Sequence, residues 1–330
     1  MDWGSIFIDG ILATIGPVTA AYAISAIGLN LQFGYTGLLN FGHVAFMLVG
    51  AYGMAITVDF GGPLWLGIII GILVAMLLGF LLGLPTLRLR ADYLAITTIA
   101  AAEAIRLVVR SSWAEPLTNG VFGIQGFADS FFALNPFPAA ELYGIGSLVV
   151  TGRKLWVMIV GWTIAALLLA VVHRLMRSPW GRVIKAIRED EDATTSLGKN
   201  VFAYKLQALM IGGAIGGVAG MILAIDQQNV TPDAYLPQIT FILYVIVILG
   251  GAGTILGPIV GAVVFQFLFF TIDALMVNAQ AEIGWVGDLL TPAAAGQVKL
   301  VLVGIGMMVL MVFRPQGILG SREEALIDER

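Results

Sequence analysis

Residues 178–205 read SPWGRVIKAIREDEDATTSLGKNVFAYK, a charged island in a sequence otherwise composed for lipid. Arg182, Lys185, Arg188, Lys199 and Lys205 lie inside it, whereas no Lys or Arg precedes Arg88. Cytoplasmic loops of membrane proteins collect Lys and Arg, so the island is predicted to face the cytoplasm, and every other segment takes its orientation from it. The island also has internal order. Val183, Ile184 and Ile187 recur at helical spacing with Arg182, Lys185 and Arg188 between them, a pattern suited to lying along a membrane surface. Glu189 to Asp192 is acidic, as a helix N-terminus prefers, and Gly198 suits the left-handed position past a C-terminus, so Asp190 to Leu197 is expected to form about two turns. Solvation alone would account for charge in such a loop, whereas two ordered helices would make it a docking surface.

Composition fixes the class. In 330 residues, 59% are hydrophobic and 12% charged, too little polar surface to cover a soluble globule of this length. The uncharged runs suit helices, which need roughly 20 mainly apolar residues, and not the short alternating segments of outer-membrane barrels. The expected fold is all-α, a polytopic helical membrane protein. With no cysteine, disulfides, thiolate chemistry and Cys-based metal or cluster sites are excluded. No basic region precedes the first apolar run, which is therefore expected to be retained as a span and not cleaved as a signal.

Taken in order, apolar runs cover about 6–31 and 35–58, separated by a minimal turn containing Gly34, and then 63–84, which delivers the chain to the basic cluster at Arg88 and Arg90. A fourth run begins at Tyr93 and must carry Glu103 and Arg106, with Arg110 one turn further out, where it can snorkel to the external interface. Residues 111–154 form a longer connection rich in Gly, Pro, Asn and aromatics, with room for short surface or re-entrant helices. Residues 155–172 lead to the island, 204–225 lead away from it, and 226–235 form a short loop with Pro232. The uncharged run 236–272 is too long for one span and is expected to break at the glycine-proline turn 250–258. After 273–297, a last span ends at Phe313, before Arg314-Pro-Gln-Gly317 and a charged tail. Alternating sides place every basic cluster inside if there are about nine crossings, with the N-terminus outside and the C-terminus inside.

Polar residues within the spans are the candidates for function, because a charge at the bilayer centre costs roughly 2.5–3.5 kcal/mol on insertion scales and so faces protein or water. Glu103 and Arg106, three apart on one helix face, read as an intrahelical pair or as part of a pathway. Asn40 and His43 share that spacing around Gly42 and read as hydrogen-bonded packing residues or as path residues. Gly212, Gly216 and Gly220 repeat every fourth residue, a small-residue face on which a neighbouring backbone can approach closely. Gly251-x-Gly253 has no Lys-Ser/Thr after it and reads as a turn, not a nucleotide loop, and no P-loop occurs anywhere. No nucleophile-base pair or metal cluster is apparent, so catalysis is not expected.

Several of these stretches resemble one family. Gly34-Tyr-Thr-Gly-Leu-Leu-Asn-Phe-Gly-His43 with Gly50-Ala-Tyr52, and Leu87-Arg-Leu-Arg-Ala-Asp-Tyr-Leu-Ala-Ile96 with Glu103 and Arg106, are similar to the permease subunits of branched-chain amino-acid ABC importers of the LivM type. Gly181-Arg-x-x-x-Ala-Ile-Arg-Glu-Asp-Glu191, Leu197-Gly198, Thr231-Pro-Asp233, Leu249-Gly-Gly-Ala-Gly253, Leu256-Gly-Pro258 and Phe313-Arg-Pro-Gln-Gly317 extend the resemblance over most of the chain. It implies a single membrane domain over residues 1–330, with 178–205 as cytoplasmic coupling loop, 111–154 as external connection and 314–330 as cytoplasmic tail. It further implies a second permease subunit of LivH type, an external substrate-binding protein, and two cytoplasmic ATPases that bind the ATP and Mg. This chain would hold no cofactor or metal, and its surroundings would be the lipid bilayer of the cytoplasmic membrane, not nucleic acid.

In such importers a loop motif EAA-x-x-x-G forms a coupling helix seated in the ATPase. Aligned on Gly198, the motif becomes Asp192-Ala193-Thr194, which replaces its opening Glu and second Ala, and Glu191 supplies an acid one position earlier. The resemblance thus assigns ATPase coupling to Arg188, Glu189, Glu191, Asp192, Ala193, Leu197 and Gly198. The substrates it implies are branched-chain or other hydrophobic amino acids, with urea or short amides as an alternative. A secondary transporter working through His43 and the Glu103–Arg106 pair is the reading from another class.

Overall fold

A computed structural model of the chain describes residues 10–282 except 13, 139, 140, 146 and 147, together with scattered positions between 298 and 320, among them 316–320. In these residues the chain is mostly helical. Helix α1 (Pro17–Leu29) runs without interruption into a π-helical turn, Asn30–Tyr35. Then come α2 (His43–Asp59), α3 (Leu64–Thr86) and α4 (Ala91–Arg110). The long connection holds α5 (Glu115–Thr118), β1 (Ile124–Gln125), α6 (Asp129–Ala133) and a hairpin of β2 (Leu142–Ile145) and β3 (Leu148–Thr151). Helix α7 (Gly152–Arg177) leads to α8 (Pro179–Glu189) and α9 (Glu191–Ser196) of the island. Helix α10 (Val201–Gln227) is followed by β4 (Asn229–Val230), a 3-10 turn at Pro232–Ala234, α11 (Gln238–Gly250) and α12 (Gly257–Glu282). Five segments are long and apolar enough to cross a membrane, namely α3, α7, α10, Pro232–Gly250 and the first part of α12 to Met276. The chain is an integral membrane protein.

Glycine spacing explains the packing. In lipid there is no hydrophobic drive between helices, so association depends on close van der Waals contact between small residues. Helix α10 is the hub. A Cβ at Gly212 would meet the carbonyl oxygen of Gly28 on α1 at 2.6 Å, one at Gly216 would meet His43 Nε2 at 2.9 Å, and one at Gly217 would meet Ala75 Cβ of α3 at 2.8 Å. Gly220 lies against the backbone of Met47. A second glycine face, on α3, comprises Gly67, Gly71, Ala75, Gly79 and Gly83, all buried, and is applied to α2 at Met54 and Gly50 and to α10 at Met210. The opposite face of α3 exposes Trp65, Ile69, Leu73, Leu77 and Leu81, which suits a lipid boundary.

The two ends of the bundle differ. At one end lie the island, the loop at Arg88 and the turn at 251–256: Arg88 sits over the Phe202 ring, 5.8 Å from its centre, and Ile318 N donates to Leu249 O at 2.8 Å, which brings the segment after Arg314 to the same place. At the other end β1 pairs antiparallel with β4, joining the long connection to the loop after α10 through Ile124–Val230 and Gln125–Asn229.

Four expectations are corrected. The all-α class acquires two small two-stranded sheets. The run 35–58 is helical only from His43, because residues 36–42 form an irregular segment whose backbone is held by side chains. The first run, expected from residue 6, is interrupted at Gly16, whose backbone is extended (φ −64°, ψ 169°) before Pro17 opens α1. Helix α12 continues beyond Asp273 to Glu282, absorbing the start of the expected loop 273–297, the rest of which lies outside the described residues. Residues 321–330 of the expected tail also lie outside them.

The glycine contacts generate a test. Gly217→Val places branched carbons against Ala75 and should lower stability by about 1–3 kcal/mol, the usual cost of overpacking. Leu73→Ala, on the exposed face of α3, should change the melting temperature of the purified protein much less, and the comparison of the two variants by thermal unfolding checks it.

Candidate functional site

At the island end, three segments far apart in sequence meet at a polar junction. A Cβ at Gly34 would collide with Asn30 Oδ1 and Gly253 N, so only glycine lets the π-helical turn lie against the turn after α11. The Asn30 side chain closes the junction: Nδ2 donates to Thr254 O at 2.8 Å, and Oδ1 accepts from Gly253 N at 2.8 Å. Arg188, from α8, donates through Nη1 to Gly34 O at 2.5 Å and packs its stem against Gly37. Gly251 and Gly253 take positive φ of 111° and 77°, which lets six residues reverse the chain between α11 and α12.

Helices α8 and α9 follow from local chemistry. Ser178 caps α8 and Pro179 occupies its first turn; Gly181, Ile184 and Ile187 face the bundle while Arg182 and Lys185 stay outside. Val183 is only partly covered, so the buried stripe is narrower than the sequence pattern. Asp190 ends α8 and caps α9, accepting from Ala193 N at 2.9 Å, and Gly198 follows at φ 77°. In α9 only Thr194 is buried, with its hydroxyl donating to Asp190 O at 2.8 Å. Glu189, Asp192 and Ala193 are exposed, and Leu197 is 79% exposed at the tip. Glu191 forms a salt bridge with Lys205 at the start of α10, so its carboxylate braces the loop.

Deeper in the bundle lies a fully enclosed network. Gln32 Oε1 accepts from Asn40 Nδ2 at 2.9 Å and is 3.1 Å from His43 Nδ1, while Gln32 Nε2 donates to Leu209 O at 3.0 Å. Since that oxygen only accepts, the contact requires the proton on Nδ1. Asn40 Oδ1 accepts from Gly42 N, Thr98 Oγ1 from Phe41 N, and Thr240 Oγ1 from Val44 N. Asn40 is 1% and His43 0% exposed, so water does not reach the imidazole in this conformation. The network holds residues 36–42 in place, level with Gly216 near the middle of α10.

The third cluster is ionic. Arg106 makes two bonds to Glu103, at 2.6 and 2.9 Å, and a third to Asp233 Oδ1 at 2.7 Å, which Arg110 also approaches at 3.2 Å. The bond to the Thr231-Pro-Asp233 loop joins α4 to the chain after α10. Sequence spacing revealed the pair on one helix; Asp233, 127 positions away from Arg106, left no local signal. Gln32 and Asn30 were missed for the same reason, although both are amides inside an apolar run and so needed partners. The α3 glycine face was readable as a four-residue repeat.

Asn30→Ala should lower stability by roughly 1–3 kcal/mol, since it leaves Gly253 N–H and Thr254 C=O without their partner. Thermal unfolding checks this, and Leu134→Ala, on the exposed surface of the long connection, should produce a smaller change.

Residues 11–312 match the family model for branched-chain amino acid transport system / permease component. The high-affinity branched-chain amino acid transport system permease protein LivM of Escherichia coli strain K12 is 31% identical over 315 residues, covering 92% of this chain and 69% of that protein. The probable branched-chain amino acid transport permease protein LivM of Methanocaldococcus jannaschii is 26% identical and covers 91% of each chain. Among solved structures, PsaBC from Streptococcus pneumoniae in complex with Fab aligns with 99% of both chains at 13% identity and a TM-score of 0.44. With a family model spanning nearly its whole length and a 31% identical relative aligned over most of it, the chain belongs to the permease components of branched-chain amino-acid transport systems.

Proposed function

We propose that this chain is a membrane-spanning subunit of an ATP-binding cassette importer that moves branched-chain or other hydrophobic amino acids into the cell. The observation that carries the reading is α9: a capped, braced helix that leaves almost all its residues exposed beside a polar junction reaching two other chain reversals. Arg188, Glu189, Asp192, Ala193 and Leu197 form the surface offered to a cytoplasmic ATPase, with Glu191 and Gly198 fixing its shape. Arg188 then connects that surface to the π-helical turn and to the turn at 251–256. Spans move as bodies, so a rigid contact at their ends can convert ATPase closure into helix tilting.

In this reading the island end is cytoplasmic, because Arg88, Arg90, the island and Arg314 would share that side. About nine spans follow: α1 with its π turn, α2 with residues 36–42, α3, α4, α7, α10, α11, α12 and a final segment ending near Phe313. The N-terminus lies outside and the C-terminus inside the cytoplasmic membrane. Separate ATPases bind ATP and Mg, since this sequence has no P-loop. A second permease of LivH type completes the path, and an external binding protein docks on residues 111–154. Glu103 and Arg106 stand near the external mouth, whereas Asn40 and His43 support the path from behind by holding residues 36–42.

Reconstitution tests this. Leucine uptake into proteoliposomes should require ATP, both permeases, the ATPases and the binding protein, and uptake by this chain alone on a proton or sodium gradient would reject it. Replacing Asp192-Ala193 and Leu197 together by Ser should reduce copurification of the ATPase while leaving the permease folded in the membrane. Removing part of 127–138 should weaken stimulation by binding protein and leave basal ATP hydrolysis in place.

A further inference from the structure

At the end of the bundle opposite the island lies a cavity of about 440 Å³, within the range of roughly 300–1,000 Å³ usual for small-molecule sites. Its walls are apolar, supplied by Leu12, Val18, Leu142, Val149, Met158 and Phe270. Two charges of opposite sign open into it, Lys154 and Asp226. Neither is held in a salt bridge among the described residues; Arg153 stacks over the Phe132 ring, 4.3 Å from its centre, and its charge, like that of Lys154, still acts on Asp226. An apolar cavity lined by an ammonium and a carboxylate that are not ion-paired among the described residues is complementary to a small molecule with the same two charges and an apolar body.

Backbone polarity reinforces the side chains. Gly16 and Pro17 line the cavity where the helical path is interrupted and α1 begins, and Thr151, which caps α7, lines it beside Lys154. Two helix N-termini therefore open on the cavity with their positive ends, that of α7 beside Lys154. Asp226 sits in the last turn of α10, whose negative end adds to the carboxylate. Broken helices that turn half-helix ends toward an anionic substrate group are a recurring device at membrane transport sites.

We propose that this cavity binds the zwitterion of an aliphatic α-amino acid, with the carboxylate toward Lys154 and the start of α7, the ammonium toward Asp226, and the side chain against the apolar wall. The choice of ligand rests on the amino-acid reading above, and the site gives this chain its own contact with substrate, independent of the binding protein.

The test uses the full chain, purified with its associated membrane and ATPase subunits into nanodiscs and freed of binding protein, with tritiated L-leucine as probe. Saturable binding is expected. On wild-type protein, 4-methylpentanoate, which lacks the ammonium, and 3-methylbutylamine, which lacks the carboxylate, should each compete at least about tenfold more weakly than leucine, because each leaves one charge of the site unpaired. Lys154→Gln and Asp226→Asn should each weaken leucine binding about tenfold, the loss of one charge-assisted contact. Absence of saturable binding, equal competition by either single-headed analogue, or unchanged binding in both variants would overturn the inference, and the analogue series judges it even where a variant fails to fold. ATP-driven uptake by the same preparation, measured with binding protein restored, reports separately: its loss in wild type counts against the transport reading, while the binding data still decide the cavity.

Discussion

A backbone inside a bilayer has no water to bond with, and this structure is arranged around that constraint. Regular helices satisfy it by themselves. The places that depart from helix are therefore the ones that need a named partner for each group. Residues 36–42 receive theirs from Asn40 and Thr98, Thr240 takes the amide of Val44 in the first turn of α2, the π-helical turn opposes its Gly34 carbonyl to Arg188, and the turn after α11 is closed by Asn30 and by the hydroxyl of Thr254, which donates to Gly251 O at 2.7 Å. Each departure is held by side chains from distant segments, so irregular backbone becomes the place where the spans are mechanically joined.

The same constraint explains why glycine is so prominent. With 41 glycines in 330 residues, the chain can set α1, α2, α3 and α10 almost backbone to backbone, and dispersion between closely spaced atoms replaces the hydrophobic drive that lipid removes. Polar side chains such as Gln32 can then cross the narrow gap to a neighbouring carbonyl. Tyr235 does likewise, donating to Gly220 O at 3.0 Å and seating the loop after α10 on the hub helix. Close packing and polar bridging are one design, because the second requires the short distances created by the first.

Much of this was legible before any coordinates. Hydropathy marked the runs that became α3, α7 and α10, and the acid-rich start and Gly198 bracketed α9. Hydropathy is blind to backbone conformation, however, so 36–42 read as part of an apolar span and the stretch around Gly34 as a minimal turn, although the first is irregular and the second is π-helical. A single sequence also carries no trace of pairings such as Arg106 with Asp233 or Asn30 with Gly253, which depend on how helices are arranged. The motif from Gly34 to His43 illustrates both limits. Its residue types identified a family, while the reasons for them emerged only from three-dimensional neighbours: Gly34 for contact with Gly253, Asn40 to turn the backbone at Gly42, and His43 to bond Gln32.

One link bears on how the polypeptide is made. The end of α11 is completed by amide groups from a distant segment, Ile318 N to Leu249 O at 2.8 Å and Leu319 N to Gly250 O at 3.0 Å. During synthesis those two carbonyls must wait while some seventy further residues leave the ribosome, and a chain stopped short would retain bare acceptors at the rim of its turn. The rim of that turn is therefore finished only when a segment some seventy residues further along has packed back against it.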